Sequence, residues 1–322
     1  MIKSTGAYLP EKVLTNQDLE KMIDTSDEWI TTRTGIKTRR IAVDRQATSD
    51  MGYEAAKMAL ERAHLSPRDV ELIIVGTVTP DMLFPSTACV IQDMLGAKHA
   101  VAFDINAACS GYIYALVIAS KFLESGVYSN ALIIGAEKLT SIVDWKDRAT
   151  CVIFGDGAGA SVVIPSNGSS KLLSFHLGTD GGYGKDLLVP AGGSRQPATC
   201  ETVGQGLHYI KMNGNAIFKI AVNKMRETFT RSMKDARITA EDISLLIPHQ
   251  ANLRIIESLR GYLHIPREKV YVNIDRVGNT SAASIGIALN EVNEKGLIKR
   301  GDIIGFAAFG GGLTWGSAII RF

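Results

Sequence analysis

Leu65-Ser66-Pro67-Arg68-Asp69-Val70-Glu71-Leu72-Ile73-Ile74 and Ile238-Thr239-Ala240-Glu241-Asp242-Ile243-Ser244-Leu245-Leu246-Ile247 carry apolar, polar and acidic residues at matching positions. Each is a polar turn leading into an apolar run that reads as a buried strand. Two further pairs follow in the same order. Residues 101–105, with a helix at Cys109, match residues 270–274, with a helix near Asn279. Ala160-Ser161-Val162-Val163-Ile164 matches Gly316-Ser317-Ala318-Ile319-Ile320. Three matches in one order point to a duplication, with halves at 1–165 and 166–322, each a layered sheet-and-helix unit. Strand-like runs at 131–134 and 303–304 alternate with helical ones at 49–63 and 213–233, the α/β signature.

Two helical segments sharpen the architecture. Residues 110–123 and 280–292 are apolar or small almost all round, and a helix without a wet face is buried on every side. They hold equivalent places in the two halves, so they are expected to pack together between two sheets. Their N-termini then open toward the interface between the halves, where sites commonly form.

Composition narrows the functional classes. The 322 residues are 46% hydrophobic, enough for a large core without metals or disulfides. A formal net charge of +2, with no long basic or acidic block, argues against a nucleic-acid groove. The first residues, Met1-Ile2-Lys3-Ser4-Thr5-Gly6, lack a signal-peptide apolar stretch, and no apolar run is long enough to cross a bilayer. The expectation is a cytoplasmic protein that meets neither membrane nor nucleic acid. Cys89, Cys109, Cys151 and Cys200 show no metal-ligand spacing, so no metal site is expected.

Cys109 begins the first buried helix, where free N–H groups and the helix dipole favour a thiolate, lowering a cysteine pKa by one to several units from about 8.5. The start of a helix also aims a backbone N–H at an oxyanion. Ala107, Ala108, Ser110 and Gly111 are small and leave room for substrate. Cys89 reads instead as a buried, inert thiol, and Cys151 and Cys200 stand in no better context. His249 lies in Pro248-His249-Gln250-Ala251-Asn252, where a buried strand ends in a polar turn, a usual place for catalytic groups in α/β sheets. Asn279, in Gly278-Asn279-Thr280-Ser281, stands at the mouth of the second buried helix; its bland reading is an N-cap. The duplication brings it near Cys109. Gly310-Gly311-Gly312, after a strand, allows close backbone approach and a second oxyanion donor. It is not a phosphate loop, and Gly155-Asp156-Gly157-Ala158-Gly159 lacks the dinucleotide fingerprint.

Over essentially its whole length the chain resembles β-ketoacyl-acyl carrier protein synthase III, the initiating condensing enzyme of type II fatty acid synthesis. The likeness rests on Asp27-Glu28-Trp29-Ile30, Arg33-Thr34-Gly35-Ile36, Asp104-Ile105-Asn106-Ala107-Ala108-Cys109-Ser110-Gly111 and Phe154-Gly155-Asp156-Gly157-Ala158-Gly159-Ala160. It continues through Pro248-His249-Gln250-Ala251-Asn252-Leu253-Arg254, Gly278-Asn279-Thr280-Ser281 and Phe309-Gly310-Gly311-Gly312. Elongating synthases carry a second histidine where this chain has Asn279.

The resemblance implies a thiolase-like fold of five layers, αβαβα, and a homodimer that needs no cofactor, coenzyme A entering as the substrate thioester. It implies that Cys109 is the nucleophile, that the N–H groups of Cys109 and Gly311 form the oxyanion hole, and that His249 and Asn279 bind the malonyl thioester carbonyl. Trp29 and Arg148 correspond to an adenine sandwich, Arg33 to a phosphate contact, and Gly214, Phe218 and Asn252 to the pantetheine tunnel. Arg254 and Lys219 correspond to the patch that meets the acidic carrier protein, and Phe84 to a residue reaching into the partner's acyl pocket. Glu257-Ser258-Leu259-Arg260-Gly261 departs from a more basic stretch in some relatives, which shifts docking toward Arg254 and Lys219.

The residue choice suits the chemistry. Exchange between thioesters is nearly isoenergetic, so an acyl-cysteine stays activated. Decarboxylation of a malonyl thioester makes a carbanion without a base, and two hydrogen-bond donors stabilise its enolate where a carboxylate would repel it. The expected reaction converts acyl-CoA and malonyl-acyl carrier protein to β-ketoacyl carrier protein, carbon dioxide and CoA. Alternatives are a polyketide- or quinolone-type condensing enzyme of the same fold, a Cys-His-Asn hydrolase, and a non-catalytic acyl-carrier-binding protein. The duplication and the intact triad speak against the last two.

Overall fold

The computed structural model describes residues 1–166, 168 and 170–322. Two sheets dominate it. The first has the strand order Ile2–Tyr8, Asp156–Val163, Ala131–Lys138, Leu72–Gly76, Val101–Ile105. The last three of these are mutually parallel and the first two pair antiparallel. The second sheet runs Lys171–Thr179, Thr314–Arg321, Ile303–Gly310, Leu245–Pro248, with the same pattern of parallel and antiparallel neighbours.

Between the sheets lie the helices Gly111–Glu124 and Ala283–Glu294, within two or three residues of the expected bounds at most ends. Tyr112, Ile113 and Leu116 from one, and Ile285 and Leu289 from the other, join residues of both sheets in one buried cluster. Thr48–Ala63 and Thr87–Leu95 cover the outer face of the first sheet, and Gly214–Ala236 and Leu253–Leu263 that of the second. The layers are therefore α, β, α, β, α, as the resemblance implied.

One strand departs from the expected duplication. Residues 270–274 do not mirror Val101–Ile105: only Val270 bridges to Leu246, and Ile274–Val277 is a short helix. The cause is Gln250, whose Oε1 takes the N–H groups of Asn273 (3.0 Å) and Ile274 (3.3 Å) and so withdraws them from any ladder. The cysteines also correct the sequence reading. Cys89 is exposed rather than buried, whereas Cys151 is buried and Cys200 exposed.

The middle helices come this close because glycines line the contacts. A Cβ on Gly76 would lie 2.9 Å from the backbone of Gly111, and one on Gly111 3.2 Å from Ala282 Cβ. At Gly159 it would strike the backbone of Gly286 and Ile287, and at Gly135 that of Ala282. A methyl group at Gly159 has nowhere to go, since backbone cannot rotate aside. Gly159→Ala is expected to lower unfolding stability by about 1–3 kcal/mol or more in urea titration, against an exposed control such as Gly181→Ala.

Candidate active site

Cys109 lies within a single 3-10 turn, Ala108–Ser110, one step ahead of the Gly111–Glu124 helix. Ala108, just before it, has φ of +44°, and Ser281, just before the second middle helix, has φ of +47°. Two non-glycine residues in the left-handed region at matching helix starts is the kind of strain that functional sites store. Thr314 Oγ1 donates to the Ala107 carbonyl at 2.6 Å and ties the cysteine loop to the second sheet. Glycine is required at position 310, where a Cβ would sit 2.5 Å from the Cys109 nitrogen. The close approach expected of the glycine run is thus at Gly310.

His249 extends the buried Leu245–Pro248 strand by one rung, its N–H donating to Ala307 O at 2.8 Å. The ring Nδ1 is 2.6 Å from Ser284 Oγ, so Nε2 is the nitrogen left for a ligand. Asn279 is held on both sides of its backbone, donating to Ile153 O and accepting from Gly155 N, each at 3.0 Å. Its side-chain Oδ1 accepts from Ser281 N at 2.8 Å, an atom that can only donate, which leaves the Nδ2 amide as the free group. Neither Ser281 nor Ser284 was singled out from sequence, because both read there as ordinary residues of a buried helix.

Two cavities meet at this point. The larger, about 660 Å³, is lined by Cys109, His249 and Asn279 together with Trp29, Arg33, Gly214, Phe218, Lys219, Asn252 and Arg254. The smaller, about 350 Å³, has aliphatic walls that include Val78, Leu139 and Ile142, and reaches Cys109, Ser281 and Gly311. Cys109, Phe154 and Leu187 border both.

Trp29 stands on the helix Asp27–Thr34, capped by Ser26 Oγ, which accepts from Trp29 N at 3.1 Å. The guanidinium carbons of Arg33 and Arg148 lie 4.7 and 4.8 Å from its ring centroid. Arg148 thus joins the mouth through Trp29, while its Nη1 donates to Asp24 O at 2.9 Å. Asn252 borders the large cavity, but both ends of its amide are engaged within the protein. Nδ2 donates to Arg33 O (2.9 Å), and Oδ1 accepts from Arg254 N (2.8 Å) to cap the Leu253–Leu263 helix. Arg254 lies over the Phe218 ring at 5.5 Å. Phe84 is apart from both cavities and 84% exposed, next to Leu83 at 85%.

Electrostatics overturns one expectation. The start of the helix was expected to lower the Cys109 pKa; burial instead pushes the thiol up to about 12, with nearby Glu137 adding to the rise. Desolvation of a thiolate outweighs what one helix end returns. Burial likewise pulls His249 down to about 3, so its imidazole is neutral at physiological pH. The resting thiol and imidazole are both uncharged at physiological pH. Among the described residues no cluster of His, Cys, Asp and Glu could hold a metal ion, and no helix is long and apolar enough to cross a membrane.

Family models described as 3-oxoacyl-[acyl-carrier-protein] synthase III and its C-terminal part match residues 103–181 and 233–322. The chain is 59% identical over 321 residues to the beta-ketoacyl-[acyl-carrier-protein] synthase III of Caldanaerobacter subterraneus subsp. tengcongensis, covering 100% of this chain and 97% of that protein. The Clostridioides difficile protein of the same name is 52% identical over 322 residues, covering 100% of this chain and 98% of the relative. Among solved structures, 3-oxoacyl-[acyl-carrier-protein] synthase III from Aquifex aeolicus superposes with a TM-score of 0.92 at 52% identity, covering 100% of this chain and 99% of that one. With relatives this similar along its entire length, and a five-layer thiolase-like fold in common with them, the chain belongs to the 3-oxoacyl-[acyl-carrier-protein] synthase III family.

Proposed function

We propose that Cys109, His249 and Asn279 carry the reaction of this family, the initiating condensation of an acyl-CoA with malonyl-acyl carrier protein in fatty acid synthesis. The observation that carries the assignment is that all three line one large cavity with a basic mouth, and that Cys109 stands where it adjoins a small aliphatic one. On this reading the CoA thioester enters by the large cavity and its acyl chain passes Cys109 into the small one. The acyl carbonyl carbon bonds to Sγ, the carbon–sulfur bond to CoA breaks, and the thiol proton leaves with the CoA sulfur. The N–H groups of Cys109 and Gly311 hold the oxyanion of the intermediate.

Malonyl thioester then takes the place of CoA. Neutral His249, with Nδ1 held by Ser284, offers an Nε2–H donor when Ser284 donates to Nδ1; Asn279 offers Nδ2–H. Both meet the thioester carbonyl as carbon dioxide leaves and the enolate forms; the carbanion bonds to the acyl carbonyl carbon, the bond from that carbon to Cys109 Sγ breaks, and the released sulfur takes a proton from solvent to restore the thiol. A histidine held neutral by burial suits this role, because its proton stays in place as a donor. Exclusion of water keeps the acyl-cysteine from hydrolysis.

Trp29, Arg33 and Arg148 form the proposed CoA nucleotide site, with Gly214, Phe218 and Asn252 along the pantetheine path and Asn252 acting through its tie to Arg33. Arg254 and Lys219, at the mouth, are the proposed carrier-protein contacts. The halves 1–165 and 166–322 are proposed as the duplicated units, supplying Cys109 and the His249–Asn279 pair respectively; the antiparallel, antiparallel, parallel succession shared by four strands of each sheet supports this. A homodimer is proposed from the edge strand Val101–Ile105, which has one neighbour, and from exposed Leu83 and Phe84. These surfaces match what a second copy would cover, with Phe84 reaching its acyl pocket. The reaction needs no cofactor, and the cytoplasm, where CoA thioesters are made, is the proposed location.

His249→Ala and Asn279→Ala are each expected to slow condensation on the order of a hundredfold to a thousandfold. Acyl loading of Cys109, followed by intact mass spectrometry, should fall far less; equal loss of both steps would remove the enolate role. Arg254→Glu should raise KM for malonyl-acyl carrier protein about tenfold with a smaller change for acyl-CoA, measured by steady-state kinetics. In the free enzyme, the thiolate fraction of Cys109 increases about tenfold per pH unit while the pH stays below the thiol's pKa. Iodoacetamide labelling of Cys109 should therefore rise without a plateau to about pH 9, the sign set by burial disfavouring the anion. A plateau near neutrality would mean that the helix start wins after all.

A further inference from the structure

Glu137 is completely buried, pairs with no cation among the described residues, and takes no part in the condensation just described. It closes the strand Ala131–Lys138. The pleat sends Leu132, Ile134 and Ala136 to the outer helices, and Ile133 and Glu137 to the middle layer. There its carboxylate gathers three consecutive residues. Thr77 Oγ1 donates to Oε2 at 3.1 Å, Thr79 Oγ1 donates to Oε2 at 2.7 Å, and Val78 N donates at 3.1 Å. Val78 is a wall of the small cavity that reaches Cys109. The same chain then runs directly on to exposed Leu83 and Phe84.

Burying an uncompensated carboxylate is costly, and a strand end alone does not call for one. Val78 N also donates to Oε1 at 3.2 Å, so the donors spread over both carboxylate oxygens, which an amide with its single acceptor oxygen could not reproduce. We propose that Glu137 is a positioning residue that sets acyl-chain preference, by clasping Thr77, Val78 and Thr79 so that Val78 stays on the cavity wall. This rests on the reading that the small cavity takes the acyl chain.

The clasp depends on charge, because a protonated carboxyl gives up acceptor capacity and gains a donor that the Val78 N–H, which can only donate, cannot use. Burial pushes Glu137 up to about 7, against the opposing hydrogen bonds, so its protonation falls in the physiological range. The titratable and charged neighbours are few. Cys109 is coupled to it, and the Ser281 hydroxyl lies within reach of both groups while making a well-directed hydrogen bond to neither. Lys138 turns away to the carbonyls of Val43 and Asp44, at 3.2 and 3.1 Å. Asp156, on the adjoining strand, is engaged by Thr140 and by Ala42 N, and Asp81 by Ser49.

The test supplies the full-length enzyme with equal acetyl-CoA and hexanoyl-CoA and reads the ratio of the two acyl adducts on Cys109 by intact mass spectrometry at early times. From about pH 8.5 to about pH 6 the wild type should shift toward hexanoyl by roughly threefold or more, the scale on which pockets discriminate methylenes. Glu137→Gln should show the shifted ratio at every pH. Thr77→Val, which removes one donor and keeps the carboxyl, should shift part of the way and retain the pH dependence; it also serves if Glu137→Gln does not fold. A pH-independent wild-type ratio overturns the proposal, as does a Glu137→Gln or Thr77→Val enzyme that loses rate with its ratio unmoved. Adducts that form without any β-ketoacyl product on adding malonyl-acyl carrier protein would instead defeat the condensation reading, and the adduct ratio would still judge Glu137.

Discussion

The contact of backbone on backbone in the middle layer is what the rest of the structure depends on. Gly76 meets Gly111, Gly135 meets Ala282, and Gly159 meets Gly286, each where a single methyl group would force the elements apart. At such separations dispersion acts between whole main-chain surfaces, and many small contacts add up. The two helices are thereby fixed at one level, so that their first turns face each other. The left-handed residues Ala108 and Ser281, both on the wall of the smaller cavity, are held by the elements that flank them. The meeting of Cys109 with Asn279 follows from that arrangement.

The same packing sets the electrostatics. A site reached only through cavities lets little water solvate an ion, so the thiol is driven up and the imidazole down. A free thiolate at rest would favour oxidation and alkylation; a neutral thiol is shielded from both. The helix start still matters, but at another moment. Its N–H groups are worth most when negative charge passes to the thioester oxygen, because fixed donors need no reorganisation then.

The sequence disclosed much of this and missed parts for identifiable reasons. The layered arrangement was legible because fully buried strands and small helix faces leave continuous apolar patterns, and Cys109, His249 and Asn279 each stood at the end of such a pattern. The missing strand at 270–274 was not legible, since the N–H groups of Asn273 and Ile274 are taken by Gln250 from another element. Cys89, in an apolar run, reads as buried although it stands exposed at the start of the Thr87–Leu95 helix. Ser284 and Glu137 act through side chains that only folding brings near, and nothing in their local patterns separates them from ordinary helix and strand residues. Asn252 lines the large cavity, but its engaged amide could only be seen in three dimensions.

On the proposed function, the two cavities let a single cysteine serve two thioesters in turn. Cys109, Phe154 and Leu187 are common to both spaces, so the two adjoin at the cysteine. On the proposed assignment an acyl chain parked in the smaller space leaves the larger one empty. CoA can then leave and a malonyl thioester enter by the same path, without displacing the acyl group. The His249–Asn279 pair borders only the larger space, so it meets the second thioester carbonyl and not the stored chain. Order in the reaction then needs no moving part: the branching of the cavity at Cys109 is sufficient to keep loading and condensation apart.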